Sequence, residues 1–108
     1  MNLGRDVSNL FESMSEIAHS KGKLFSACVL PGFNKTQLKQ TPYFEIDRRQ
    51  GKTYREQWNM AMNSDADWIS IVSWSEWAEG TQIEPAYEYG TLYLDLTREL
   101  GTTWKTQY

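Results

Sequence analysis

The sequence has one cysteine, so an internal disulfide is excluded. Cys28 lies in the apolar run at residues 24–30 and reads as a small core residue. A catalytic thiol would need a basic partner. The single histidine, His19, falls in a predicted helix and reads as exposed. No run approaches the roughly 20 apolar residues of a membrane span. Residues 1–6 lack the apolar stretch of a signal peptide, so localisation is left open and the natural start is expected further upstream. Basic charge is also short: 11 Lys and Arg stand against 14 Asp and Glu, for a net charge of −3. Nucleic acid is a poor match, because phosphate binding needs a basic patch that releases counterions. Asp65 and Asp67 lack the glycine and terminal glutamate of a calcium loop, so no metal is expected, and no cofactor motif is present.

Aromatic residues, by contrast, are plentiful: 14% of the chain, with five Trp, six Tyr and four Phe. Rings of this kind fill cores and also stack on sugars. Val7, Leu10, Phe11, Met14, Ile17 and Ala18 recur at helical spacing, predicting a helix over residues 9–21 that stops at Gly22. Residues 24–30 form a strand of the kind covered on both faces. A long segment at 31–52 follows, and a loop of that length in a small domain is usually functional. Thr53 and Glu56 have capping-box spacing, and Tyr54, Trp58, Ala61 and Met62 line the helix they would open. A second strand spans 68–74. Leu92, Tyr93, Leu96 and Leu100 mark a last helix that Gly101 would cap. The order helix-strand-helix-strand-helix predicts an α/β fold with parallel strands, read as one unit over residues 1–108. Two strands do not make a stable parallel sheet, since both faces and both edges need cover, so the pattern reads as the C-terminal part of a (β/α)8 TIM barrel, about its last two strand–helix units.

The chemistry concentrates at residues 73–84, Ser-Trp-Ser-Glu-Trp-Ala-Glu-Gly-Thr-Gln-Ile-Glu, directly after the second strand. Strand ends that open into loops carrying acids are where α/β barrels place catalytic groups. Glycosidic cleavage needs one carboxylic acid to protonate the leaving oxygen and a second group at the anomeric centre. Glu76 and Glu79 are candidates for that pair. Trp74 and Trp77 could stack on sugar rings, and Gln82 and Glu84 could meet sugar hydroxyls or fix the loop to itself. Arg48, Phe33, Tyr43 and Phe44 belong to the long segment predicted on the same rim. A guanidinium there binds sugar hydroxyls or forms a structural ion pair.

The segment Trp74-Ser75-Glu76-Trp77-Ala78-Glu79-Gly80-Thr81-Gln82-Ile83-Glu84 resembles the signature of glycoside hydrolase family 99, the endo-α-1,2-mannosidases and mannanases. That family runs Asn-Glu-Trp-His-Glu-Gly-Thr-Gln-Ile-Glu at this place. The likeness extends to Pro31-Gly32-Phe33, to Arg48–Tyr54 and to Leu92–Arg98. Ser75 stands where the family has Asn, and Ala78 where it has His. The form with Ala78 is closer to WbsX-like relatives associated with surface-polysaccharide biosynthesis.

The resemblance implies a TIM barrel that cleaves α-mannosides with retention, by a substrate-assisted route. Glu76 would deprotonate the substrate 2-hydroxyl, and Glu79 would serve as acid and then as base. The expected partner is a mannose-containing glycan, with no cofactor. Two alternatives stand beside it: a non-catalytic carbohydrate-binding or assembly fragment prone to self-association, and a WbsX-like role in polysaccharide synthesis. On either reading, 108 residues cannot close a barrel, and the isolated chain is expected to be inactive.

Overall fold

The apolar spacing at the start of the chain does produce a helix, α1 (Ser8–Ser20), in a computed structural model that describes residues 6–34 and 45–108. Its predicted stripe splits in two. Phe11 is buried against Phe25, ring centroids 6.2 Å apart at a steep angle. Leu10, Met14 and Ile17 stay 55%, 46% and 58% exposed. The chain turns at Gly22, whose φ of +68° suits a residue without a Cβ.

Strand β1 (Ser26–Val29) pairs in parallel with β4 (Trp68–Ile71), Ser26 opposite Trp68 and Val29 opposite Ile71. The crossover is α2 (Lys52–Met62), which packs on β1, while α1 and α3 (Leu92–Gln107) pack on α2. Strand alternation then decides exposure. Ala27 and Val29 point to the helices and are fully buried, whereas Ser26, Cys28 and Ser70 share the opposite, open face. Cys28 is therefore exposed rather than a core residue. Among the described residues, one face of this sheet is covered, not two.

Several boundaries differ from the sequence reading. β4 ends at Ile71 because, after Val72 donates to the Val29 carbonyl, Ser73 bonds Thr81 instead. The Val72–Ser73 peptide is cis. Inside the long segment, β2 (Phe33–Asn34) and β3 (Glu45–Ile46) form a short antiparallel pair that the sequence pattern did not disclose. Tyr43 and Phe44 lie outside the described residues. A 3₁₀ turn (Arg49–Gly51) leads into α2. The capping box does not form. Gly51 occupies the cap position, and the Thr53 hydroxyl turns back to donate to the Asp47 carbonyl while Glu56 pairs with Arg49. Gly101 does not end α3, which continues to Gln107.

The core runs from Phe11 and Phe25 through Ala27 and Val29 to Tyr54, Trp58, Leu96 and Leu100. Burying these apolar surfaces stabilises the assembly by about 25 cal/mol for each Å² removed from water. Toward the motif the core becomes a series of edge-on rings: Tyr54 meets Tyr93 at 5.7 Å, and Tyr93 meets Tyr89 at 5.4 Å. The Tyr54 hydroxyl, 2.8 Å from Thr97 Oγ1, ties α2 to α3. No described helix is long and apolar enough to cross a membrane.

Candidate active site

The motif loop begins where β4 stops, and its own residues cinch it. Ser73 donates its N–H to the Thr81 carbonyl at 2.8 Å and accepts at its own carbonyl from Ile83 N–H at 2.9 Å. The Ser73 and Thr81 hydroxyls meet at 2.8 Å. Glu84 N–H reaches the Trp74 carbonyl, closing the neck. Between these ties the chain makes tight turns rather than a helix. Ser73 Oγ accepts the Glu76 N–H, the Glu76 carbonyl accepts from Thr81, and the Trp77 carbonyl accepts from Gly80. Polar side chains beside the strand end thus hold Glu76 and Glu79 on a short, braced arc.

Two contacts dock this arc onto the preceding segment. Asn34 N–H, on β2, donates to the Glu79 carbonyl at 2.8 Å. Gly80, with φ +66°, lets the backbones approach; a Cβ there would lie 2.8 Å from the Asn34 carbonyl oxygen. Arg48 is the second contact. It is 9% exposed, and its Nη2 donates to the Gln82 carbonyl at 2.8 Å and the Gly80 carbonyl at 3.2 Å. Its guanidinium carbon lies 4.4 Å from the Tyr89 ring centroid and 4.7 Å from that of Tyr93, within cation–π range. Burial raises the Tyr93 hydroxyl pKa, and the positive charge of Arg48 partly opposes that shift.

Beside the docked loop opens a cleft of about 620 Å³. Phe33, Arg48, Trp77 and Gln82 all line it, joined by Glu45, Asp47, Glu88 and Tyr89. Four of the sequence-predicted substrate contacts thus share one cavity. Glu76, Glu79, Trp74 and Glu84 do not line it, although Trp77 and Gly80 on its wall are chain neighbours of the two glutamates. Glu76 and Trp74 are exposed; Glu79 is half-buried. Glu84 accepts the indole N–H of Trp77 and so orients that ring. Gln82 is buried, and its Oε1 makes no hydrogen bond among the described residues. Among those residues no cluster of His, Cys, Asp and Glu could hold a metal ion.

Sequence reasoning missed Asn34, Tyr89 and Tyr93 as parts of this site. Tyr93 read as helix core, and Tyr89 carried no periodic signal. What brings the tyrosines in is a through-space contact with Arg48, and what brings Asn34 in is its hydrogen bond to the Glu79 carbonyl; local spacing encodes neither.

Comparison with known proteins gives the family. The glycosyl hydrolase family 99 model matches residues 4–102. The glycoprotein endo-α-1,2-mannosidase of Xenopus laevis is 31% identical over 113 aligned positions, and that of Rattus norvegicus 28% over 109; each alignment covers 91% of this chain. The structure also superposes on the family 99 endo-α-mannosidase of Bacteroides thetaiotaomicron, solved with bis-tris-propane, with a TM-score of 0.85 and 32% identity over 91% of this chain. A glycoside hydrolase-like protein with a TM-score of 0.78 and 20% identity shares the fold. The chain spans 24% of the length of those curated relatives and 35% of the Bacteroides chain. A family match that runs through the strand, the docked loop and the last helix leaves one conclusion: the chain belongs to glycosyl hydrolase family 99.

Proposed function

We propose that this segment supplies the catalytic carboxylates of an endo-acting α-mannosidase, as the last two strand–helix units of a (β/α)8 barrel. The observation that carries this reading is the braced arc of residues 73–84. It holds Glu76 and Glu79 at the end of a parallel strand, beside a cleft walled by Trp77, Gln82 and Phe33. Aromatic walls with carboxylate and amide rims suit a neutral sugar, whose ring faces are apolar and whose edges carry hydroxyls.

In the proposed reaction Glu76 takes the proton of the substrate 2-hydroxyl, and that oxygen attacks C1. The C1–leaving-group bond breaks as Glu79 donates its proton to the departing oxygen. The resulting 1,2-anhydro sugar is then opened at C1 by water, whose proton goes to Glu79 while Glu76 returns its proton to O2. Two inversions at C1 give net retention. The route needs no protein nucleophile, so the carboxylate separation of ordinary retaining enzymes does not govern it.

The test belongs on the complete polypeptide that carries this segment, with α-1,2-linked mannosides as substrates. Glu76→Gln and Glu79→Gln should each cut turnover by roughly 10²-fold or more. Near-unchanged rates in both variants would sink the assignment, and turnover of nucleotide-sugar or lipid-linked donors alone would favour the polysaccharide-synthesis reading. The isolated chain is expected not to turn glycan over, because among the described residues its parallel sheet has two strands and one open face, far from a closed barrel.

A further inference from the structure

We infer that Arg48 is a positioning residue that sets the placement of the Glu79 arc, and that it does not itself hold substrate. Its Nη2 is committed to the carbonyls of Gly80 and Gln82, the residues that follow Glu79 in the arc. Its Nη1 is shielded from solvent and makes no hydrogen bond among the described residues, so a sugar hydroxyl cannot reach it as the loop stands. Burying a cation is unfavourable unless the surroundings compensate. Here the compensation is built from two sources, the carbonyl pair and the faces of Tyr89 and Tyr93.

The backbone is shaped around the same side chain. A Cβ on Gly32 would lie 2.6 Å from Arg48 Cγ and 2.8 Å from the Ile46 carbonyl oxygen. Glycine at 32 therefore leaves room for the arginine stem. Gly80, whose carbonyl the arginine holds, makes room for the Asn34 backbone. Asn34 holds the Glu79 carbonyl from the other side. A carboxylate between two such anchors has its backbone fixed before any substrate arrives, and small misplacements of a catalytic group are costly to turnover.

The clamp is read first in the 108-residue chain by amide hydrogen exchange, which does not depend on the proposed reaction. Gly80, Thr81 and Ile83 donate to Trp77, Glu76 and Ser73 carbonyls and serve as probes. In Arg48→Gln their exchange should quicken about tenfold or more, with the α2 and α3 amides unchanged. Unchanged protection of all three probes overturns the inference. Should Arg48→Gln loosen the helices as well, Gly32→Ala decides: it displaces the arginine stem while keeping the charge. It should quicken the same three amides, and their unchanged exchange again overturns the proposal.

The second reading rests on the proposed function and uses the complete polypeptide. There Arg48→Gln should lower kcat roughly tenfold or more with KM within about twofold, and Arg48→Lys, which lacks the planar fork, should recover only part of it. A rise in KM with kcat intact would make Arg48 a substrate contact instead. Absence of mannosidase activity in the unaltered protein would remove the proposed function and leave the exchange result standing.

Discussion

Gly80 shows how one residue carries both conformation and contact. Its φ of +66° is a region that costs an L residue with a side chain about 1–2 kcal/mol. The space is also closed, since a Cβ would lie 2.8 Å from the Asn34 carbonyl oxygen and 3.0 Å from its nitrogen. Gly80→Ala is therefore expected to lower stability by at least about 1–2 kcal/mol and to push the Glu79 arc off β2. Urea unfolding of the two chains checks the first effect, and an unchanged midpoint contradicts it. Glu84 and Trp77 make the complementary case. Both read as candidate sugar contacts, with Glu84 alternatively fixing the loop to itself, and the Glu84 carboxylate accepts the indole N–H and so orients the ring that faces the cleft. Residue type announced chemistry at both positions; the pairing came from loop closure.

At the level of elements, α1 is fastened to the start of β4 by an ionisable contact. His19 Nε2 lies 2.7 Å from Asp67 Oδ2, and the same oxygen accepts the Phe25 N–H at 2.9 Å. The Phe25 N–H, then His19, holds the Asp67 carboxyl below its ordinary 3.8. The hydrogen bond to Asp67 raises His19 above its ordinary 6.5. A raised histidine contributes stability that is complete below the unfolded value and lost as pH climbs through the folded one. A depressed carboxyl contributes stability that is present above its unfolded value and lost as pH falls through the folded one. The contact is accordingly at full strength between 3.8 and 6.5. Thermal unfolding from pH of about 5 to about 9 should show a decline on the alkaline side that His19→Gln removes. Parallel profiles for the two proteins would rule the contact out as the cause. The histidine was legible only as a helix residue, because Asp67 lies across the fold.

At the scale of the whole molecule, the chain leaves two apolar features without cover. Leu10, Met14 and Ile17 form a stripe on α1, and Trp68 and Val72 are 62% and 37% exposed on or just past β4. Both strands of the parallel pair also keep an unpaired edge among the described residues. Exposed edges and apolar stripes promote association. On the barrel reading they meet the remaining strand–helix units of the complete polypeptide. The isolated chain should self-associate, with sedimentation showing mass that rises with concentration, and Leu10→Lys combined with Ile17→Lys should reduce that rise. A concentration-independent monomer would contradict the expectation.

What the amino-acid sequence determined by itself was local: helices where apolar residues recur, strands where they run together, and a contiguous motif placing Glu76 and Glu79 after a strand. Such features depend on neighbours a few positions away, so spacing alone reveals them. Tertiary structure decided the rest. It turned Cys28 to the open face through strand alternation, extended α3 through Gly101, drew Thr53 and Glu56 away from a cap, and seated Arg48 against Tyr89 and Tyr93. These outcomes hang on contacts that apolar spacing does not encode, from six or seven positions apart for Thr53 and Glu56 to about forty for Arg48, or on which face a neighbouring element covers. They become definite only when the chain has packed, because the free energy that selects them belongs to the contact and not to either partner.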